Sequence, residues 1–155
     1  MKKKKSFKDI WEVIEFPLIF LLIWALLNMV LDLQNLMGKV FYMIISWAIT
    51  ILVFGYVGYQ VVKNKEDEKA SAKHGAYLGA FYGIISAIIG IISFYVFPEK
   101  IEEAIRLAAE QGVDPNVVRT FAKVGVYASL VFSPLFTAAI GALISWISGL
   151  IFKKK

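Results

Sequence analysis

The sequence predicts an all-α, polytopic membrane protein with four transmembrane helices and an extracytoplasmic helix-turn-helix between the third and fourth. Hydrophobic residues make up 59% of the chain and charged residues 19%, whereas soluble domains have about 45–50% and about 25%. Three uncharged stretches, 40–62, 75–97 and 124–152, each exceed the roughly 20 residues that cross a bilayer as a helix. In the last of them a small residue recurs at every fourth position, which is typical of helices that pack closely in membranes.

The first span is predicted at 16–33 and is the shortest of the four. Its uncharged part, 16–31, reaches only about 24 Å as a helix, so polar residues at the headgroup level complete it. Residues 1–15 combine lysines with an apolar helical stripe, so we expect an interfacial amphipathic lead-in that bends at Pro17. A cleaved signal peptide is the alternative. Because no A-x-A-like cleavage site follows the apolar part, an uncleaved anchor is favoured.

The remaining spans belong to the same membrane domain, which covers residues 1–155. Only a short segment separates the first two spans, so these helices are expected to be antiparallel neighbours. Pro134 lies inside the last span and should kink it, since proline removes a backbone hydrogen bond. The later spans are predicted at 39–62, 75–97 and 120–152.

The connection between the third and fourth spans, 98–119, is long enough to fold. Pro98 suits the first turn of a helix, and Gly112 suits the position just past its end. Asp114 can then cap a second helix with Pro115 at its first position, and this helix can continue into the fourth span. These residues predict the helix-turn-helix.

Lysine and arginine are distributed unequally between the two sides of the predicted bundle. The side that holds both termini and the loop 63–74 carries 12 of the 17, and the other side carries five. Cytoplasmic segments are enriched in these residues, so both termini are expected to be cytoplasmic in a multi-pass cell-membrane protein. The lysines lie at span ends, which favours the anionic inner leaflet as their partner and not nucleic acid.

Two stripes of small residues predict how the helices pack. Helices associate in lipid through close backbone approach and hydrogen bonds, which small side chains allow. We expect the stripes of the third and fourth spans to face each other within one chain, with a homodimer seam as the alternative. The stripes are Gly75, Gly79, Gly83 and Ala87 in the third span and Gly125, Ser129, Ser133, Thr137, Gly141, Ser145 and Gly149 in the fourth.

No group of residues in the sequence predicts catalysis, a metal site or a cofactor. The chain has no cysteine, and its one histidine, His74, is expected at the membrane interface. Neither an H-E-x-x-H motif nor a phosphate-binding glycine loop occurs. An enzyme is therefore not expected.

Polar residues within the spans leave two functions open. Asn28 and Asp32 lie four residues apart on one face of the first span and are candidates for a polar-ligand site. A polar cavity at membrane depth would favour transport, whereas pairing of the polar side chains between helices would favour a structural role. The residues available to line such a cavity are Asn28, Ser46, Thr50, Ser86, Ser93, Ser133 and Thr137.

The order of motifs resembles a family of small four-span bacterial membrane proteins of unknown function. The resemblance begins at about residue 40 and rests on a span that ends in Gly55-Tyr56, Gly58-Tyr59 and Lys63. A glycine-rich third span follows, then an acidic helical segment after Pro98, Phe132-Ser133-Pro134 and a lysine tail. It implies a recurring four-helix membrane unit and carries no activity or site.

The sequence therefore favours a structural or interaction role, as an accessory subunit or a small membrane scaffold. The alternative is an oligomeric transporter or channel component. A membrane-protein partner or a second copy of the chain would accompany the bilayer as a partner.

Overall fold

A computed structural model of the chain describes residues 7–31, 36–64 and 66–153, without the side chains of residues 100 and 104. The described residues are almost entirely helical and contain no strand. Four of their helices are long and apolar enough to cross a membrane, so the chain is a multi-pass membrane protein. The helices are α1 (Phe7–Leu31), α2 (Lys39–Lys63), α3 (Glu68–Val96), α4 (Glu99–Glu110) and α5 (Pro115–Phe152).

Helix α1 begins earlier than the span predicted at 16–33, and no helix begins or ends near residue 16. The helix is continuous from Phe7, with Pro17 inside it. Ile10 and Ile14 are buried in the same core as Leu18, so the apolar stripe of the predicted lead-in packs against the bundle. Its apolar stripe meets α2 and α3 because the spacing of that stripe continues without a break into the span.

Helices α4 and α5 begin and end where their capping residues predict. Gly112, just past α4, has a φ of 81°, a left-handed conformation that glycine adopts without strain. The Asp114 carboxylate accepts a 2.8 Å hydrogen bond from the backbone N–H of Asn116, and Pro115 is the first residue of α5. An ion pair between Arg119 and Glu102, 2.8 Å long, joins the two helices.

The four long helices form a bundle with two distinct ends. One end, here called the Lys63 end, holds the start of α1 at Phe7, the end of α2 at Lys63, the start of α3 at Glu68 and the end of α5 at Phe152. The opposite end, here called the α4 end, holds α4, the end of α1 and the start of α2. Helix α5 has 38 residues and is therefore about 57 Å long, longer than a bilayer is thick, so its first turns extend beside α4.

The interior of the bundle has two kinds of packing. A cluster of large apolar side chains fills the space between α1, α2 and α3. Helix α5 instead buries only small residues and turns its large apolar side chains, such as Phe132 and Leu135, outward. The apolar cluster consists of Ile10, Ile14, Leu18, Leu21, Val53, Phe54, Val57, Val61 and Leu78.

Candidate functional site

The backbones of α3 and α5 touch along the glycines of α3. A Cβ atom added at Gly79 would lie 2.8 Å from the Cα of Ala138, and one at Gly83 would lie 2.6 Å from the Cα of Pro134. At Gly75 the carbonyl carbon of Gly141 would be 2.7 Å away. Real Cβ atoms essentially never approach other atoms within 3.0 Å. No side chain larger than hydrogen therefore fits at these three positions without movement of the helices.

Only part of the stripe of small residues on α5 contacts other helices. Thr137, Gly141, Ser145 and Gly149 lie against α2 or α3. The other three stripe residues of α5 do not form this seam. Among the described residues, no atom beyond the adjacent backbone of α5 lies within 4 Å of a Cβ at Gly125. Ser129 donates to the Val126 carbonyl of its own helix, and the half-buried Ser133 offers its carbonyl to Thr137. On α3, Ala87 is buried.

Hydroxyl groups form hydrogen bonds between the helices toward the Lys63 end of the bundle. Thr137 donates to the Gly79 carbonyl at 2.6 Å, and Ser145 and Ser148 of α5 donate to carbonyls of α2 at 2.8 and 2.6 Å. Ser71 of α3 also donates to α2, to the Gly58 carbonyl at 3.3 Å. Sequence reasoning did not select Ser71, Ser148 or Gly58. The small residues Gly55 and Gly58, three apart on α2, could have indicated this contact, because they form a surface that the small residues of α5 can approach.

An ion pair lies beyond these hydroxyl contacts, outside the predicted spans. The Lys153 ammonium donates a 2.7 Å hydrogen bond to the Glu68 carboxylate. This bond raises the pKa of Lys153, because the carboxylate stabilises the charged ammonium. The pair connects the end of α5 to the start of α3.

A polar cavity of about 330 Å³ lies between α1, α2 and α3, toward the α4 end. Five of the seven residues that the sequence made available to line a cavity converge on it. Ser133 and Thr137 are not among its lining residues. The Thr137 hydroxyl instead donates to the Gly79 carbonyl of α3. The five are Asn28 of α1, Ser46 and Thr50 of α2, and Ser86 and Ser93 of α3. Asp32, the other polar-site candidate, lies outside the described residues.

The lining of this cavity is uncharged and rich in hydroxyl groups. Trp24 and Tyr42 stack against each other on one wall, with ring centroids 6.3 Å apart and planes inclined by 10°. The Ser46 hydroxyl has no hydrogen-bond partner among the described residues. The Ser86 hydroxyl faces Tyr82, one helical turn away. It forms no hydrogen bond of acceptable geometry with any of the described residues. Both oxygens are buried, so they become available to a bound molecule only when neighbouring side chains move.

A second cavity, of about 170 Å³, adjoins the first between α2, α3 and α5. Ser46, Thr50 and Tyr82 line both cavities and therefore form the partition between them. Thr137 lines the second cavity. Polar side chains are thus present from Asn28, through the partition, to the seam between α3 and α5.

His74 is 1% exposed and is buried between the helices at the start of the predicted third span. Residues 71, 74 and 78 follow helical spacing on one buried face of α3, which explains its position. Its Nδ1 is 2.7 Å from the Ala70 carbonyl, an acceptor, so Nδ1 carries the proton. Its Nε2 finds no hydrogen-bond partner within the described part of the chain. That part also holds no group of three potential ligands for a metal ion.

Comparison of the chain with protein-family models, with curated proteins and with solved structures finds no match. Two features distinguish this bundle: an uncharged polar cavity toward the α4 end, and close backbone packing fastened by hydroxyl groups at the Lys63 end.

Proposed function

We propose that this protein binds a small, uncharged, polar solute in the cavity between α1, α2 and α3 and acts as a component of a transporter or channel. The observation that supports this proposal is the convergence of polar residues from three helices on one cavity. Polar groups inside a membrane are costly unless they have partners. Polar residues that face a bundle interior therefore often mark a substrate pathway.

The lining indicates the class of solute. It contains hydroxyls, one amide and an aromatic pair, and no charged side chain. An ion would lose its hydration there without gaining an opposite charge, which is unfavourable. Hydroxyl and amide groups can exchange hydrogen bonds with a neutral polyol or amide, and the Trp24–Tyr42 pair offers a flat apolar surface. The volume is at the lower end of the range of about 300–1,000 Å³ for small-molecule sites.

In the proposed orientation, both termini are cytoplasmic and α4 lies on the outer side of the cell membrane. The cavity is then in the outer half of the bilayer, and the hydroxyl-fastened Lys63 end lies beneath it. Passage of a solute would require α1 and α2 to move relative to α3 and α5, because α3 and α5 are held in backbone contact.

Solute entry into proteoliposomes tests the proposal. Glycerol, ribitol, urea and potassium chloride are applied as osmotic shocks, and the change in vesicle volume is followed by light scattering. We expect glycerol or urea to enter faster than into protein-free vesicles and potassium chloride to enter no faster. Asn28→Leu keeps the number and branching of the side-chain heavy atoms but replaces the amide with bulkier methyl groups, so it should abolish the gain.

Ser129→Ala is the matched control, because the Ser129 hydroxyl bonds within its own helix, outside the cavity. Solute entry equal to that of protein-free vesicles, or a gain that Asn28→Leu leaves intact, would contradict a solute pathway through this cavity.

The accessory-subunit or scaffold role is the second candidate. It is favoured by the unused α4-end half of the α5 stripe, where Gly125 has open space beside it. A partner helix or a second copy of the chain could approach there. A cysteine at Gly125 should then form crosslinks in native membranes that mass spectrometry assigns to one partner, whereas a cysteine at the outward-facing Ile151 should not.

A further inference from the structure

A groove separate from the polar cavity runs between α1 and α2 at the Lys63 end. It consists of two adjoining cavities of about 310 and 230 Å³, which share Phe16, Pro17 and Tyr56. Beyond the shared residues, one cavity is lined only by apolar side chains and the other mostly by polar ones. The apolar part adds Phe20, Ile49, Leu52 and Val53, and the polar part adds Glu12, Val13, Gln60 and Asn64.

The length of the groove matches one leaflet of a bilayer. Asn64 and Ile49 mark its two ends along α2, and fifteen residues of helix correspond to about 22 Å. Half a bilayer, with its headgroup region, is about 20–22 Å thick. Asn64 directly follows α2 and adjoins the charged loop. The polar part of the groove is therefore at headgroup depth, and the apolar part reaches toward the bilayer centre.

The polar part offers both an anion and hydrogen-bond donors. Glu12 has no ion-pair partner among the residues that the structure describes. Gln60 donates from its amide nitrogen to the Tyr56 hydroxyl at 2.6 Å, which holds its side chain at the groove. The exposed Asn64 supplies a second amide. A carboxylate beside two amides complements a headgroup that carries an ammonium and a phosphate.

We propose that the α1–α2 groove binds a phospholipid with a primary ammonium headgroup. The ammonium pairs with Glu12, and the amide N–H groups of Gln60 and Asn64 donate to the phosphate oxygens. An acyl chain lies along the apolar part, beside Leu52 and Phe20. This site is independent of the solute cavity, with which it shares no lining residue.

Native mass spectrometry of the full chain tests the proposal. The detergent-solubilised protein is equilibrated with equal amounts of phosphatidylethanolamine, phosphatidylcholine and phosphatidylglycerol that carry the same acyl chains. We expect the phosphatidylethanolamine adduct to predominate. Glu12→Gln should lower its ratio to the phosphatidylglycerol adduct about three- to fivefold, as loss of an exposed ion pair predicts. Glu15→Gln, on the same helix but outside the groove, should leave the ratio unchanged.

A second pair of variants tests the apolar part. Leu52→Trp fills the groove and should reduce all three adducts, whereas Leu143→Trp, on the exposed face of α5, should reduce none. Unfolding midpoints equal to that of the wild type ensure that the comparison concerns binding. The proposal is overturned by equal or preferred retention of phosphatidylglycerol, by a phosphatidylethanolamine preference that Glu12→Gln leaves intact, or by the absence of bound lipid.

Discussion

Two alanine substitutions in the same helix should have opposite effects on stability. Gly79 and Gly90 both lie within α3, but a Cβ at Gly79 would overlap the carbonyl group of Thr137. In the described part of the chain, no atom beyond the adjacent backbone of α3 lies within 4 Å of a Cβ at Gly90. Replacing glycine by alanine in a helix ordinarily contributes about 0.5–1 kcal/mol of stability. The pair Gly79→Ala and Gly90→Ala therefore separates backbone contact from helix propensity.

The structure gives the size of the effect at Gly79. The added Cβ would lie 2.8 Å from the Cα of Ala138, and carbon atoms in contact are about 3.5–4.0 Å apart. The helices must therefore separate by about 1 Å. That shift would lengthen the 2.6 Å hydrogen bond from Thr137 to the Gly79 carbonyl to about 3.6 Å, beyond hydrogen-bonding range.

Overpacking of this kind costs about 1–3 kcal/mol, and a lost hydrogen bond between membrane helices costs about 0.6 kcal/mol. After the propensity gain of about 0.5–1 kcal/mol is subtracted, Gly79→Ala should lower the free energy of unfolding by about 0.6–3 kcal/mol. Gly90→Ala should leave it unchanged or raise it by up to about 1 kcal/mol.

Unfolding in mixed micelles with increasing SDS, followed by circular dichroism, measures both variants against the wild type. The reasoning would be refuted if Gly79→Ala were as stable as Gly90→Ala. A loss of dimer with an unchanged monomer would instead assign the stripe to a seam between chains.

Three further predictions concern single contacts and orientation. Thr137→Val should lower the free energy of unfolding by about 0.6–1.7 kcal/mol in the same SDS titration. Thr120→Val, whose hydroxyl bonds only its own helix, should change it less, and equal losses would count against the Thr137 contact. Arg119→Ala should accelerate hydrogen exchange in α4 up to about fivefold. Arg106→Ala breaks only an ion pair within α4 and should not accelerate it. Unchanged exchange in both variants would contradict a link between α4 and α5. In intact cells an impermeant maleimide should label a cysteine at Gln111 and spare one at the exposed Lys69 until the membrane is permeabilised, and the reverse pattern would invert the proposed orientation.

The sequence by itself determined the elements of this protein. Hydropathy and helix caps are local properties, so they placed the membrane helices and the start of α5 at Asp114 and Pro115. They also indicated the apolar helical stripe before residue 16, but not which helices bury Ile10 and Ile14, because that depends on where α2 and α3 pack.

Only the tertiary structure decided which residues meet. A stripe of small residues indicates that another helix can approach closely. It does not indicate which helix approaches or over what length. On α5, the stripe residues Thr137, Gly141, Ser145 and Gly149 face other helices, whereas Gly125 has none of the described helices beside it. The polar cavity likewise depends on the rotation of three helices about their axes, which brings Asn28, Ser46 and Ser86 together across more than fifty residues of sequence. Such convergence has no local signal, because each of these residues by itself is an ordinary polar position in an apolar helix.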